Sequence, residues 1–359
     1  MKSKSTPEMS TKNKTLLVDS MNMMYRSYYA MPSLKNRDGQ CVGAVLGFLN
    51  SMNRFANAFE RVVVVWDSPI SKTRRHELYP PYKMNRPPME LDMKTQLPVM
   101  KEALDAFGYC QVVSSEDHEA DDLIATLSRR VFSESNVCVL SRDKDLAQLV
   151  DRENRISLLD PVSGDLLLYD DVETKYGVRP ESLRDALALA GDSSDNIPGV
   201  PGIGMKTAAM LVSRFGGSVD NIYSNLEDVP GKKRKVRFSF VVARFPKTKP
   251  FYKKKKQENL RKHRDDVDTA YELVRLEDNI PLNCVSIIHH DDSNEYDDVV
   301  TDLETIRQVS VIPSPSCTST RQAIEEFCDH YHLNDLRRRM IAQWKEYDDG
   351  SSLSSSSSQ

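Results

Sequence analysis

The run Arg61-Val62-Val63-Val64-Val65-Trp66-Asp67 decides the fold. Apolar residues in unbroken succession suit a strand buried on both faces, which is how the strands of a parallel sheet read. Two further runs share its form. Thr15-Leu16-Leu17-Val18 leads into Asp19, and Val137-Cys138-Val139-Leu140 leads into Ser141-Arg142-Asp143. Helical patterns cover 41–58, 92–107 and 119–132. Strands alternating with helices predict an α/β fold, a mostly parallel central sheet flanked by helices with right-handed crossovers. Ligands of such sheets bind at the carboxyl ends of the strands, and each run ends there in an aspartate.

The 359 residues carry 49 Lys+Arg against 53 Asp+Glu, with 39% hydrophobic and 28% charged residues. That composition folds, and it excludes a wholly disordered or collagen-like chain. The length favours two domains. No apolar run reaches the roughly 18 residues of a spanning helix. Residues 1–14 lack the apolar core of a secretory signal and read as a disordered tail. Their basic, Ser/Thr-rich makeup also fits a short organellar transit segment. The six cysteines form no CxxC pair, which argues against a zinc knuckle and for a reducing, intracellular compartment. Mitochondrion, plastid and nucleus all remain open.

Residues 15–180 are expected to form the sheet domain. Within it, 68–98 break the rhythm, rich in Arg, Tyr, Lys and Pro, and a stretch of that length between strand and helix points to function or disorder. One or two short strands are expected in 156–170. From 181 to 284 the pattern is helical, with a Gly-rich turn at 199–204. Residues 285–320 read as a polar linker, 321–346 as a last helix and 347–359 as a Ser-rich disordered tail. The net charge of −4 hides an asymmetry. Residues 232–264 hold fifteen Lys+Arg and one acid, Glu258, which leaves about −18 on the rest. A chain with an acidic core and a basic strip can hold a phosphate backbone and still concentrate carboxylates elsewhere.

Nine carboxylates fall in five short motifs: Asp19, Asp67, Glu119-Ala-Asp121-Asp122, Asp143-Lys-Asp145 and Asp192-Ser-Ser-Asp195. Each alone fits a helix N-cap or an exposed acid. Converging, they could not all ionise unaided, because like charges a few ångströms apart raise one another's pKa. Divalent cations resolve that conflict. A ligand set of oxygens alone, with no His or Cys in these motifs, selects Mg²⁺, with Mn²⁺ able to substitute, over Zn²⁺. Two such ions about 4 Å apart suit phosphodiester hydrolysis.

After Asp195 comes Ile197-Pro-Gly-Val-Pro-Gly202-Ile-Gly204, then Met205-Lys206-Thr207, a helix, tight turn, helix signal. Free amides at the second helix start can receive a phosphate, and Lys206 adds charge. The 68–98 stretch carries Arg74, Arg75, Tyr79, Tyr82, Lys83 and Arg86. Basic residues interleaved with aromatics suit single-stranded nucleic acid.

These segments resemble the flap endonuclease and 5′-3′ exonuclease family, above all the 5′-nuclease domain of bacterial DNA polymerase I and its stand-alone relatives. The resemblance runs from about Thr15 to Gly217, and thinly again over 268–282. It rests on LLVDSMNMMYRSYYA, VGAVLGFLN, YKMNRPP, HEADDLIATL, DKDLAQLV and GDSSDNIPGVPGIGMKTA. It implies a PIN-like α/β nuclease core, a helical arch at about 68–98 and a helix–hairpin–helix domain. It implies structure-specific 5′→3′ exonuclease and flap cleavage of DNA by a monomer, with RNA-primed DNA as a further substrate, in replication primer removal and repair. The nine acids match the family's metal ligands. Lys83 and Arg86 match catalytic arch residues at the scissile phosphate, with Arg74 and Tyr82 nearby for DNA. Gly202, Gly204, Lys206 and Thr207 match the duplex-gripping hairpin, whose carbonyls in the family also hold K⁺. Gly43 and Gly47 match a helix start near the active-site duplex.

Two departures stand out. Arg142 occupies a position where relatives carry a small residue. Residues 236–256 match nothing in the family and read as a basic insertion or as intron-derived sequence. The competing readings are a PIN-type RNase and a non-catalytic DNA-binding scaffold. The first does not need the 192–207 hairpin, and the second is expected to have lost a metal acid or Lys83.

Overall fold

The computed structural model describes residues 13–31, 34–68, 73–226, 254–281, 286–287, 298–299, 303–313 and 317–355. Along them run β1 (Lys14–Asp19), α1 (Ser20–Ala30), α2 (Gly43–Phe55), β2 (Arg61–Trp66), α3 (Arg74–Leu78), α4 (Leu91–Lys94), α5 (Gln96–Ala106) and β3 (Cys110–Val113). Next come α6 (Ala120–Thr126), β4 (Asn136–Leu140), β5 (Ile156–Leu159), β6 (Leu166–Leu167), α7 (Tyr169–Tyr176), α8 (Leu183–Ala190), α9 (Met205–Arg214) and α10 (Val219–Leu226). The rest are α11 (Lys254–Lys262), α12 (Arg264–Leu273), β7 (Ser286–Ile287), β8 (Asp298–Val299), α13 (Leu303–Val309), α14 (Thr318–His330) and α15 (Asn334–Ser355). The chain divides into two units. Met1–Arg74, Pro87–Leu168 and Leu276–Gln359 make the first, and Arg75–Arg86 with Tyr169–Arg275 the second.

The first unit is built on a sheet of order β6-β5-β4-β1-β2-β3-β7-β8. The five inner strands, β5 to β3, are parallel, and β6, β7 and β8 add antiparallel edges. The mostly parallel sheet follows from the apolar runs. Val62 to Val65 and Leu16 to Val18 are fully buried, so both faces of β1 and β2 are covered. Helix α2 buries Val45, Phe48, Leu49 and Met52, the spacing of one helical face. Successive strands step away from β1 in opposite directions, through β2 and β3 on one side and β4 and β5 on the other. The switch point therefore lies between β1 and β4, where α/β sheets place their ligands. Asp19 ends β1 there, and Asp143 follows β4.

Several elements escape a reading of periodicity. β3 is short and carries Gln111 at its centre. That side chain is fully buried, accepting from Trp66 Nε1 and donating to the Lys101 carbonyl, so the polar letter hides a core strand. Helix α1 starts directly at Asp19, with no gap to mark it. The helix expected over 92–107 is two, α4 and α5, and that over 119–132 is α6 continued by a π-turn at Leu127–Val131. The stretch 285–320 was expected as a linker, yet its described residues include β7, β8 and α13. Val62 N–H donates to the Ser310 carbonyl, and Ile312 N–H to that of Glu60, which lays this segment beside the start of β2.

In place of the single helix expected over 321–346, α14 and α15 form a hairpin. His332 takes φ 54°, Leu333 N–H reaches the Cys328 carbonyl and His332 N–H that of Asp329, the double bond pattern that stops a helix. Leu333 and Cys328 are both buried beneath it. Residues 347–355 of the expected tail belong to α15, while 1–12 and 356–359 lie outside the described residues. Of the atypical segment, 236–253 also lie outside them, and 254–256 begin α11.

The second unit is helical. α8 packs on α9 and α12, burying Leu183, Leu187, Leu211 and Val212. Between α8 and α9 runs the loop 191–204.

Phe327 of α14 joins the main core cluster with Leu336 and Trp344 of α15. Phe327→Ala is expected to cost about 3–5 kcal/mol in urea unfolding. A loss below ~1 kcal/mol would mean that the hairpin does not seal this core.

Candidate metal centre and nucleic-acid interface

Asp19 sets the electrostatics of the first unit. Its backbone leaves β1 and caps α1, with Asn22 N–H donating to Oδ1 at 3.1 Å. Ser141 Oγ donates to Oδ2 at 2.7 Å. Burial pushes the Asp19 carboxyl up to about 7 against these two donors, and the charges of Asp143 and Asp67 push the same way. Ser141 serves twice, since its oxygen also accepts from Asp143 N–H at 3.0 Å. Ser141 and Asn22 orient acids without carrying charge, so no charge pattern in the sequence marks them. Asn22 Oδ1 accepts the Arg142 N–H, and the exposed Arg142 side chain pairs with Asp160 at 3.4 Å, not with Asp143.

Backbone amides hold several of the other acids. Asp67 Oδ1 accepts from Ala120 N–H at 2.8 Å, so the end of β2 receives the start of α6. Glu119 caps α6 in a reciprocal box with Asp122. Asp121 is half-buried in the first turn. Asp143 Oδ1 accepts from Asp145 N–H at 2.8 Å. Asp122 is engaged on both oxygens, as Asp19 is. It is buried, and both its oxygens take backbone amides, from Glu119 at 3.2 Å and Glu277 at 2.9 Å. Asp122 was expected among the metal ligands, and in this geometry its oxygens also hold the helix start.

Among the described residues no three of these side chains stand close enough to hold a metal ion. Their donor chemistry nevertheless fits a hard divalent cation: carboxylate oxygens alone, gathered at the ends of β1, β2 and β4, with one of them driven toward neutrality. Among the described residues no His or Cys joins them, and the five described cysteines are free thiols.

In the second unit, Asp192 and Ile197 exchange backbone hydrogen bonds, and Asp192 Oδ1 accepts from Ser194 N–H at 2.8 Å. Asp195 accepts from Arg86, Nε at 2.9 Å and Nη2 at 2.5 Å. Lys83 takes φ 56° and donates its N–H to the Asp195 carbonyl, while Asn85 and Asn196 join the same two strips through Ser193 and Pro81. Two arch residues expected at the nucleic acid are otherwise engaged. Tyr82 is 4% exposed, edge-on to His76 with Lys83 Nζ over its ring, and offers no open face for a base. Arg74, in the first unit, pairs with Glu277.

Gly202 at φ 81° and Gly204, the cap of α9, have nothing within 4 Å of an added Cβ, which leaves this strip of backbone open. Lys206 is exposed and Thr207 half-buried in the first turn. The glycines on which the loop depends sterically are others. A Cβ on Gly199 would lie 2.4 Å from the Ala190 carbonyl, and one on Gly191, at φ 65°, would meet Gly199. A cleft of 460 Å³ opens beside the loop, with Tyr79 and Asn196 in its wall. Gly43, expected near DNA, is buried in the first unit, where a Cβ would strike the Met31 carbonyl.

Two family models match the chain. One described as 5'-3' exonuclease, N-terminal resolvase-like domain, covers residues 14–177, and one described as 5'-3' exonuclease, C-terminal SAM fold, covers 178–288. A 5'-3' exonuclease of Buchnera aphidicola (subsp. Baizongia pistaciae) is 41% identical over 218 residues, 60% of this chain and 70% of that one. The thermostable DNA polymerase I of Thermus thermophilus is 35% identical over 279 residues, 77% of this chain but only 30% of the polymerase. Among solved structures, the T5 D15 protein co-crystallised with metal ions superposes with a TM-score of 0.55 at 20% identity, over 74% of this chain and 90% of that one.

The raised Asp19 carboxyl has a consequence for the metal-free protein. Its folded pKa, about 7, lies above the ordinary 3.8, so the native state holds the extra proton and stability falls as pH rises between those values. In EDTA, Asp19→Asn is expected to match wild type near pH 4 and to be more stable by roughly 1–3 kcal/mol at pH 8. Thermal melts across that range check this, and equal stability at pH 8 would contradict the buried-charge assignment.

Proposed function

This chain belongs to the 5'-3' exonuclease family, a family of nucleases, and from that membership we propose that it hydrolyses DNA as a structure-specific 5′→3′ exonuclease and flap endonuclease, in primer removal and repair. The observation that carries the reading is the gathering of Asp19, Asp67 and Asp143 at neighbouring strand ends, with Asp19 raised toward neutral pH by burial and by the other two. Asp19, Asp67, Glu119, Asp121, Asp122, Asp143, Asp145, Asp192 and Asp195 are the residues proposed to hold divalent cations, Mg²⁺ in the first place. When bound, such ions supply Lewis acidity toward the phosphate and a water of lowered pKa. The protein's own part is to hold the oxygens in place through Ser141, Asn22 and the amide of Ala120.

Lys83 and Arg86 are proposed to meet the scissile phosphate. Arg86 already donates two N–H groups to one carboxylate oxygen, and a phosphate oxygen offers it a like acceptor. The 199–204 loop with Lys206 and Thr207 is proposed to take the sugar–phosphate backbone of the duplex, without reading bases. Its carbonyl groups suit a monovalent cation such as K⁺. The free thiols support an intracellular setting.

The test is cleavage of a 5′-labelled flap duplex by the purified full chain, with Mg²⁺ and with EDTA, beside Asp143→Asn. Cutting near the branch is expected with Mg²⁺ alone, and Asp143→Asn is expected to abolish it while still binding DNA. Metal-independent cutting, or cutting undiminished in the variant, would end the proposal. A second measurement addresses the hairpin. Lys206→Ala is expected to weaken binding to all sequences alike and to lower the salt-dependence slope by about one. A change in base preference would contradict a backbone contact.

A further inference from the structure

We infer that Glu277 is a positioning residue that fixes the carboxylates at the start of α6, an inference that rests on the ligand roles proposed above for Glu119 and Asp121. Glu277 follows α12 in sequence and belongs to the first unit. Its backbone and its side chain both reach the turn that leads into α6. The N–H donates to Asp122 Oδ1 at 2.9 Å, and the other oxygen of Asp122 takes the Glu119 N–H. The Glu277 carbonyl accepts from Thr126 Oγ1 at 3.3 Å, and that same hydroxyl accepts from Ile280 N–H at 3.2 Å. The carboxylate faces His118 Nε2 at 3.2 Å, and His118 Nδ1 lies 2.7 Å from Ser115 Oγ. His118 directly precedes Glu119. The segment from 115 to 126 is thus braced before, at and after the residues expected to hold metal.

Such bracing is what a metal ligand requires. A carboxylate that swings freely loses entropy on binding an ion, so the groups that fix its backbone raise affinity without touching the ion. A further acid near a carboxylate cluster would ordinarily weaken it by adding like charge. Here Arg74 pairs with Glu277, and the His118 ring lies against its second oxygen, so the brace does not add an uncompensated charge. The arrangement also explains why Arg74, expected to bind DNA, turns to Glu277.

The experiment is direct Mn²⁺ binding to the DNA-free full chain by electron paramagnetic resonance, with cleavage assays beside it. Glu277→Ala is expected to weaken Mn²⁺ affinity roughly tenfold and to raise the half-saturating Mn²⁺ for cleavage by a similar factor. KM for DNA should not move. Glu277→Gln, whose amide oxygen can still accept from Arg74, is expected to restore most of the loss. A purely structural role would lower the melting temperature without this selective effect on metal. Glu119→Ala is the control for the reading beneath the inference. If it loses Mn²⁺ and Glu277→Ala does not, the inference is overturned and the ligand assignment stands. If Glu119→Ala binds like wild type, the assignment fails and the inference with it. Should Glu277→Ala not fold, His118→Ala removes the side-chain brace alone, and unchanged Mn²⁺ affinity there would also overturn the inference.

Discussion

Negative charge gathered at the carboxyl edge of a buried parallel sheet is the constraint on which the first unit depends. The sheet must bury β1 on both faces, and this carries Asp19 into the interior with it. A carboxylate so placed is costly to ionise. The surroundings respond with donors that do not leave when charge changes: the hydroxyl of Ser141 and the amide of Asn22 at Asp19, and the amide of Ala120 at neighbouring Asp67. Two of these serve a second purpose, since the Asn22 amide is a helix N-terminal group and Ala120 begins α6. Strand ends and helix starts therefore meet at the same place because each supplies what the other lacks. The residual repulsion is the property that a divalent cation would relieve, so stability without metal and affinity for it are two faces of one arrangement.

The architecture was legible in the sequence where burial was uniform. The runs ending in Asp19, Asp67 and Asp143 read as strands because nothing polar interrupts them. β3 was not legible, since Gln111 in its centre is satisfied by Trp66 and Lys101, partners that no periodicity reveals. The break between α14 and α15 was equally hidden. It depends on a histidine adopting a left-handed backbone, where glycine is the usual signal.

The site was legible as a list of acids and less so as a geometry. Every acid motif does stand at an element boundary, but the spacing of letters does not say which carboxylates are already engaged. Asp122 is the clearest case: its position in Glu119-Ala-Asp-Asp122 suggests a ligand, and its two backbone partners make it a cap as well. The glycines of the hairpin divide in the same manner. Gly202 and Gly204, prominent in the repeat of the motif, stand open, whereas Gly191 and Gly199 are required by the close passage of the chain over itself. Residues that bind and residues that shape can carry the same letter, and only their neighbours separate them.

Arg86 and Asp195 extend this argument to the second unit. The arch cation and the loop acid were each expected to meet a different partner, phosphate for one and metal for the other. In the structure they neutralise each other, supported by the Lys83, Asn85 and Asn196 hydrogen bonds between the same strips of chain. The pair is half exposed on the arginine side, so water screens it and its contribution to stability is small. An ion pair of that kind keeps two charges oriented at little energetic cost and yields readily to a stronger counterion. Phosphate for Arg86 is such a counterion, because it accepts the same paired donors with greater charge. A weak internal pair is thus compatible with both functions: it orders the segment while no substrate is present, and it does not compete seriously with one that arrives.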